Sequence, residues 1–465
     1  MLLLSKIKKK FSVSQDYKIK EIKIDGKNVL LLFNEVLCST DAINDFILRG
    51  LLRTDKKGLK QLPNILPDAN IFPITEDKIL FYVNQGFLVV STNQLYAIEV
   101  RANLDRGVSA VTSELSLTGP KDSFTENFNT NLGLIRRRIK STTLESLELD
   151  IGRYTKTKVS VLSIRGIVKP KLVQNIYKQL ERINIDGIID SSYLKSALEG
   201  KNSLFPTVMM SERPDRASMA LLEGKVVILT DLSPYALILP SFFIDYFHTV
   251  DDYYQKNLNT TFIRVVRVIA FFIAIFLPAI YIAVTTRNYD LVPYRLLVML
   301  KAGRTFVPFA AYIEALFMIV AFEILKESDI RMSATTGSAV SILGGLILGD
   351  AAVSAGIVSP IMIIIIAISS IAALIFPSNE LVNAIRFYKI TILLLAAVFG
   401  IYGVLIGAVF VFGKLLSMKS FQFSYLSPLV PFDKYECMDS IIRREGKIKR
   451  RNSLLTDNVV RGKNL

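Results

Sequence analysis

Residues 268–284, VIAFFIAIFLPAIYIAV, carry no charge, with Arg264 and Arg267 before them and Arg287 after them. An apolar membrane core of about 30 Å needs about 20 such residues, so the segment reads as a first span near the lower limit of length. Pro278 at its centre predicts a kink. Further along, residues 305–325 form a second candidate span that contains Glu314 and Glu323. Residues 357–376 form a third, apolar apart from Ser359, Pro360, Ser369 and Ser370, and residues 390–412, with no charge at all, form a fourth. Between the second and third, residues 337–349 are apolar but interrupted by Gly337, Gly344, Gly345 and Gly349. That stretch falls short of the roughly 20 residues a span needs and reads as re-entrant. Irregular backbone at membrane depth survives only inside protein or along a water-filled cavity, which gives that reading functional content.

Composition agrees with a membrane component: 51% of the residues are apolar and the mean hydropathy is +0.40. Of the net charge of +15, residues 1–262 carry 35 basic against 29 acidic, 263–412 carry 10 against 7, and 413–465 carry 11 against 5. The tail is thus the most basic stretch per residue. Four spans return it to the side of the N-terminus, in agreement with a cytoplasmic cluster of Arg443, Arg444, Lys447, Lys449, Arg450 and Arg451 that meets anionic lipid. Against that topology, Arg287, Arg295, Lys301 and Arg304 face only Asp290 in the first external loop. The opening MLLLSKIKKK has too short an apolar run for a secretory signal, so the first half is expected in the cytoplasm. Two cysteines, Cys38 and Cys437, lie far apart and suggest neither a disulfide framework nor a metal motif.

The N-terminal half mixes strand-like runs with polar connections. Residues 29–33, 79–83, 87–91 and 95–100 read as strands of a small α/β unit, and 131–140 (NLGLIRRRIK) as a helix. Its Arg136, Arg137, Arg138 and Lys140 suit either a solvated face or domain contact, or anionic headgroups. In a second unit, 159–164 and 185–189 read as strands around a helix over 170–182 opened by Pro170, a βαβ rhythm; 213–222 reads as a helix, and 226–230 and 235–239 as strands. The expected organisation is therefore two α/β cytoplasmic subdomains, 1–150 and 151–262, then an all-α integral membrane domain, 263–413, with about four transmembrane helices and one re-entrant segment, and a basic tail, 414–465.

Glu314 is placed near the middle of the second span, where an unpaired carboxylate costs at least about 2.5 kcal/mol. It therefore faces a cavity or a structural partner. Glu323 lies on the opposite side of that helix and reads as an interfacial anchor. Asp350, with Ser354 and Ser359 after it, makes either a polar mouth for ion passage or an interfacial cap. Gly400, Gly403 and Gly407 share one narrow stripe and predict close helix packing. A single histidine, His248, excludes a multi-histidine metal site and reads as structural; no phosphate-binding glycine motif is present, so no cofactor, no catalytic residue and no nucleic acid are expected.

Several blocks resemble the A-subunit family of GerA-type spore germinant receptors: Gly119-Pro120 with FTEN from Phe124, NLGLIRRRIK, TKTKV from Thr155, the run from Ser211 beginning SERPDRASMALLEG, and DDYY from Asp251. In the second half they are LPAIYIAV from Leu277, IEALF from Ile313, FEILKESDIR from Phe322 and GSAVSILGGLILGDAAVSAGIVSP from Gly337. The resemblance spans roughly residues 25–440; it departs where AVTSE (110–114) and Thr118 replace residues usual in the family. It implies a subunit of a nutrient-sensing complex in the spore inner membrane, beside a transporter-like B subunit that binds nutrient and a C-subunit lipoprotein. It also implies a homo-oligomer around a pore for monovalent cations. On the residues read above, the third span and the re-entrant segment are expected to line that pore, with Glu314 setting its local field. A late-sporulation paralogue aiding ion or dipicolinate release shares these blocks. A secondary transporter, which predicts inverted repeats, is the competing class.

Overall fold

A computed structural model describes residues 14–24, 27–52, 70–92, 94–102, 114–199, 203–331, 334–432, 439–443 and 454–456. The chain opens with β1 (Tyr17–Ile24) and β2 (Lys27–Asn34), a helix α1 over residues 40–52, β3 (Ile71–Ile74), a short helix α2 (Ile79–Val83), β4 (Phe87–Ser91) and β5 (Leu95–Glu99). These strands form one sheet in the order β1-β2-β4-β5-β3, with every pairing antiparallel. Residues 79–83 are helical and not the expected strand. ILFYV is a short apolar run with no period of its own, and it buries Ile79 and Val83 one helical turn apart.

Helix α3 (Phe128–Arg138) follows, capped by the Asn127 side chain, which accepts from the Thr130 N–H at 3.0 Å. The second sheet is built from β6 (Leu144–Ile151), β7 (Thr157–Ile164), β8 (Met209–Ser211), β9 (Val226–Thr230) and β10 (Ala236–Leu239), joined by α4 (Pro170–Glu181), α5 (Ser191–Leu198) and α6 (Pro214–Glu223). Its order, β6-β7-β9-β10-β8, repeats that of the first sheet, and it too is antiparallel throughout. The expected βαβ crossover is therefore absent among the described residues: α4 leads to α5 and not to a parallel neighbour of β7, and residues 185–189 form no strand. The boundary expected at 150 falls inside β6, which pairs with β7 along its whole length.

Both faces of the second sheet are covered. Leu172, Val173, Ile176 and Leu180 of α4 seal one face against Val159, Val161, Ile228 and Leu237. On the other face Leu162, Val227, Leu229 and Ile238 meet α3 and α6, in an apolar cluster that runs on without interruption into the helical half. Two-sided burial is why VVILT of β9 is apolar almost throughout and shows no alternation. At about 1.5–3 kcal/mol per fully buried aliphatic or aromatic side chain, this shared core is the main force holding sheet and helices together.

The helical half comprises α7 (Asn257–Thr286), α8 (Tyr294–Ala302), α9 (Ala311–Arg331), α10 (Ala334–Ser354), α11 (Pro360–Leu374), α12 (Asn379–Phe399) and α13 (Ile401–Ser417). Among the described residues two of them, α7 and α12, are long and apolar enough to cross a membrane. Two expectations change here. Residues 337–349, read as re-entrant, lie within the continuous helix α10. Residues 390–412, read as one span, are broken at Gly400 into α12 and α13, which fold back on each other. Gly400 has φ +63°, and a Cβ there would strike Arg287 and Asn288; at Gly403 it would strike the Leu395 carbonyl. After α13 the chain returns to the second sheet: Ser420 Oγ donates to the Thr207 carbonyl at 2.9 Å, and Leu455 is buried beside α4.

Candidate functional site

Polar networks mark both ends of the helical bundle. At the end nearest the sheets, Arg264 and Arg267 are three residues apart on α7 and so share a face. Both reach Asp252: Arg264 Nε at 3.2 Å and Arg267 Nη1 at 2.8 Å. Arg267 also donates to the Phe247 carbonyl at 2.9 Å and Thr249 Oγ1 at 2.9 Å. All three charged side chains are buried, and removing one partner from such a set costs about 3–5 kcal/mol. Aromatic rings continue the junction: Phe247 lies edge-on to Phe376 at 5.2 Å, and Phe205 stacks on Tyr388 of α12 at 5.0 Å. Lys195 of α5 pairs with Glu380 at the start of α12.

Sequence blocks more than 90 residues apart meet beside this junction. Arg213 donates to the Pro120 carbonyl at 2.9 Å and grips Asp215 at 2.8 and 3.0 Å, while Tyr254 Oη donates to Asp215 at 2.9 Å. The Tyr254 ring lies against Gly119, whose φ of +103° and lack of a Cβ both permit the contact. Burial alone would raise the Asp215 carboxyl, but the Arg213 guanidinium and the Tyr254 hydroxyl hold it below the usual range. Of the positions where the sequence departs from the family pattern, Glu114 pairs with Arg216 at 3.2 Å and Thr118 N donates to Asp251 at 3.2 Å. His248 hydrogen-bonds the Ser440 carbonyl at 2.7 Å through Nε2, which must therefore carry the proton. Burial, reinforced by nearby Arg264, pushes its pKa down to about 3.

At the opposite end, Glu314 does not lie mid-span; it sits in the first turn of α9. One carboxylate oxygen accepts from Arg304 at 2.7 and 3.2 Å, and the other accepts from the N–H and the hydroxyl of Ser359, both at 3.1 Å. Ser359 is the N-cap of α11. The carboxylate therefore satisfies one backbone N–H and the N-cap hydroxyl at one helix start while standing at another, where both helix dipoles favour negative charge. Tyr281, near the end of α7, faces the same group. Arg304 also loses its standing as an unmatched external cation.

The structure joins Glu314 to Ser359 but leaves Asp350 and Ser354 exposed on α10. Gly344 lets α10 approach Leu325 of α9, where a Cβ would sit 3.0 Å from the Leu325 side chain, whereas nothing lies within 4 Å of such a Cβ at Gly349. Gly337 is in the N-terminal part of the same helix. At Gly407 a Cβ would lie 2.7 Å from Ile392 across the α12–α13 hairpin. Arg443, expected at the lipid surface, folds instead onto the start of α7, donating to the Tyr253 carbonyl at 3.1 Å and Asn257 Oδ1 at 3.0 Å. Arg444, Lys447, Lys449, Arg450, Arg451 and Cys437 lie outside the described residues. Of the readings open for the α3 arginines, Arg136 makes the domain contact: it is buried against Asp16 at 2.7 and 2.8 Å, ahead of β1. Arg304, Asp252 and Asp16 as partners were not singled out in the sequence. Only Arg264 and Arg267, by their spacing, offered a signal.

Two sheets of one topology, the second packed by a shared apolar core and ion pairs on a helical half that includes two helices apolar enough to cross a membrane, define the class of fold. The chain belongs to the family described as Bacillus/Clostridium GerA spore germination protein, which it matches over residues 5–454. Among its relatives, spore germination protein KA of Bacillus subtilis (strain 168) is 34% identical over 453 residues, covering 95% of this chain and 83% of that protein. Spore germination protein GerQA of Bacillus cereus is 31% identical over 437 residues, covering 92% and 87%. The family is one of spore germination proteins and not of enzymes. The crystal structure of the N-terminal domain of the A subunit of the Bacillus megaterium spore germinant receptor GerK3 is 29% identical, with a TM-score of 0.41, covering 52% of this chain and 94% of that one.

Proposed function

We propose that this chain is the A subunit of a nutrient germinant receptor in the spore inner membrane, and that copies of it assemble into an ion channel that a liganded neighbour opens. The relatives' names support the role in germination. The observation that carries the channel reading is α10. It is rich in glycine, it packs against α9 within the protomer, and it leaves Asp350 and Ser354 exposed. A carboxylate and a hydroxyl on the outside of a membrane helix are costly facing lipid and favourable facing water, so they suit a path between copies.

In this reading α7 and α12 cross the membrane, and α9, α10, α11 and α13 run beside them in alternating directions. Helices of 21 residues, such as α9, α10 and α12, span about 31 Å, matching the apolar core. The two α/β subdomains and the basic tail lie together in the spore core. The Glu314–Arg304–Ser359 network fixes the far mouth, and Asp350, Ser354 and Gly349 line the path. Nutrient choice belongs to a transporter-like B subunit, with a C-subunit lipoprotein beside it. Their contacts shift the channel only by binding the open form more tightly than the closed one. The test is cation efflux from vesicles holding the full chain and its receptor partners. Asp350→Asn is expected to change nutrient-dependent efflux by about tenfold or more, the scale of one desolvated charge contact; efflux equal to wild type rejects the pore assignment.

A further inference from the structure

Between α9, α11 and α12 lies a cleft of about 80 Å³ lined by Glu323, Lys326, Ser370, Arg386 and Lys389, with Phe322 on its apolar side. Three cations against one carboxylate leave a formal excess of +2. The carboxylate is already engaged, since Glu323 pairs with Arg386 at 2.7 Å. Lys389 is only 4% exposed, and among the described residues its ammonium has no hydrogen bond or ion pair. The buried Nε of Arg386 lacks an acceptor as well. Buried donors without an acceptor carry a cost, so the Lys389 ammonium and the Arg386 Nε, both at the lining of one cleft, call for an anion. The space is well above the roughly 10–15 Å³ that one water needs.

Arg386 stands six residues after Glu380, about 9 Å along α12 from the bridge to the sheet region. With the sheets on the inner side of the membrane, as proposed above, that is the depth of a headgroup, and the apolar wall suits the glycerol and acyl chains behind it. We propose that this cleft binds a phosphate-bearing anion, whose oxygens accept from Lys389 Nζ and Arg386 Nε. The phosphate comes from an anionic phospholipid or from free inorganic phosphate. Charge-assisted donors of this kind are the ones proteins use for phosphate. The site is separate from the path assigned to cations, which its positive field would oppose.

The experiment is native mass spectrometry of the delipidated full chain in detergent, titrated with phosphatidylglycerol, with phosphatidylcholine and with inorganic phosphate. Wild type is expected to retain phosphatidylglycerol or inorganic phosphate in preference to phosphatidylcholine. Which of the two it retains identifies the source. Lys389→Met should weaken that retention about tenfold, the effect of one hydrogen bond to a charged group. Glu323→Gln, which removes the competing carboxylate, should strengthen it, so that a misfolded Lys389→Met protein does not decide the matter. Retention that does not favour an anion, or that neither substitution moves, overturns the proposal.

Discussion

Arg136 and Asp16 form a buried bidentate pair between α3 and the segment ahead of β1. Replacing Arg136 with Met strands the Asp16 carboxylate, at about 3–5 kcal/mol. The expected result is a fall of at least about 5 °C in the unfolding midpoint of the detergent-solubilised chain; an unchanged midpoint refutes the buried pair. His248 acts through pH. Its folded pKa of about 3 lies below the ordinary 6.5, so the unfolded chain binds the extra proton. Stability from this group is complete above pH 6.5 and declines as the pH falls toward 3. Arg264, Asp252 and Glu223 surround the ring, and Asp215, also held low, adds acid sensitivity of the same sign. His248→Gln keeps a donor for the Ser440 carbonyl and removes the titration. Its midpoint should vary less than wild type between pH 6.5 and pH 4, and equal slopes would exclude the assignment.

At the scale of elements, the α12–α13 hairpin depends on glycine. A Cβ at Gly403 meets the Leu395 backbone, which cannot rotate away, whereas one at Gly407 meets the Ile392 side chain, which can. Gly403→Ala is therefore expected to cost more than Gly407→Ala, in the range of about 1–3 kcal/mol for overpacking. The folded, monodisperse fraction in detergent measures the difference, and the reverse ranking would contradict the packing. This hairpin also shows what the sequence hides. Residues 390–412 are uniformly apolar, and hydropathy has no means of marking a reversal inside an apolar run. The stripe of Gly400, Gly403 and Gly407 was legible as a packing surface, but not as the seam of a turn. β7, α4 and β9 were readable because strand and helix patterns there are long and bounded by turns. β1, YKIKEIKI, carries only a partial alternation, because its apolar positions shift from Tyr17 and Ile19 to Ile22 and Ile24, and the five apolar residues of ILFYV fit strand and helix alike. The Glu314 site was half legible. A carboxylate in an apolar helix demands a partner, but Arg304 and Ser359 are 10 and 45 residues away, and only the fold brings them together.

For the whole molecule, the buried links at the sheet–bundle junction make the N-terminal region and the helices one mechanical body. A force applied to the second sheet would reach α7 through Asp252 and α12 through Glu380. Asp252→Asn weakens two of those links at once. It is expected to uncouple nutrient from efflux while leaving the chain in the membrane, and normal nutrient-dependent efflux would show that coupling runs elsewhere. The central claim is that copies of α10 surround water. It is tested by placing Ser354→Cys in a chain whose Cys38 and Cys437 are serine, then adding a charged thiol reagent to vesicles that conduct cations. The account predicts that the reagent reacts while the channel is open and blocks efflux; an unreactive thiol, or efflux unaffected by full modification, contradicts it.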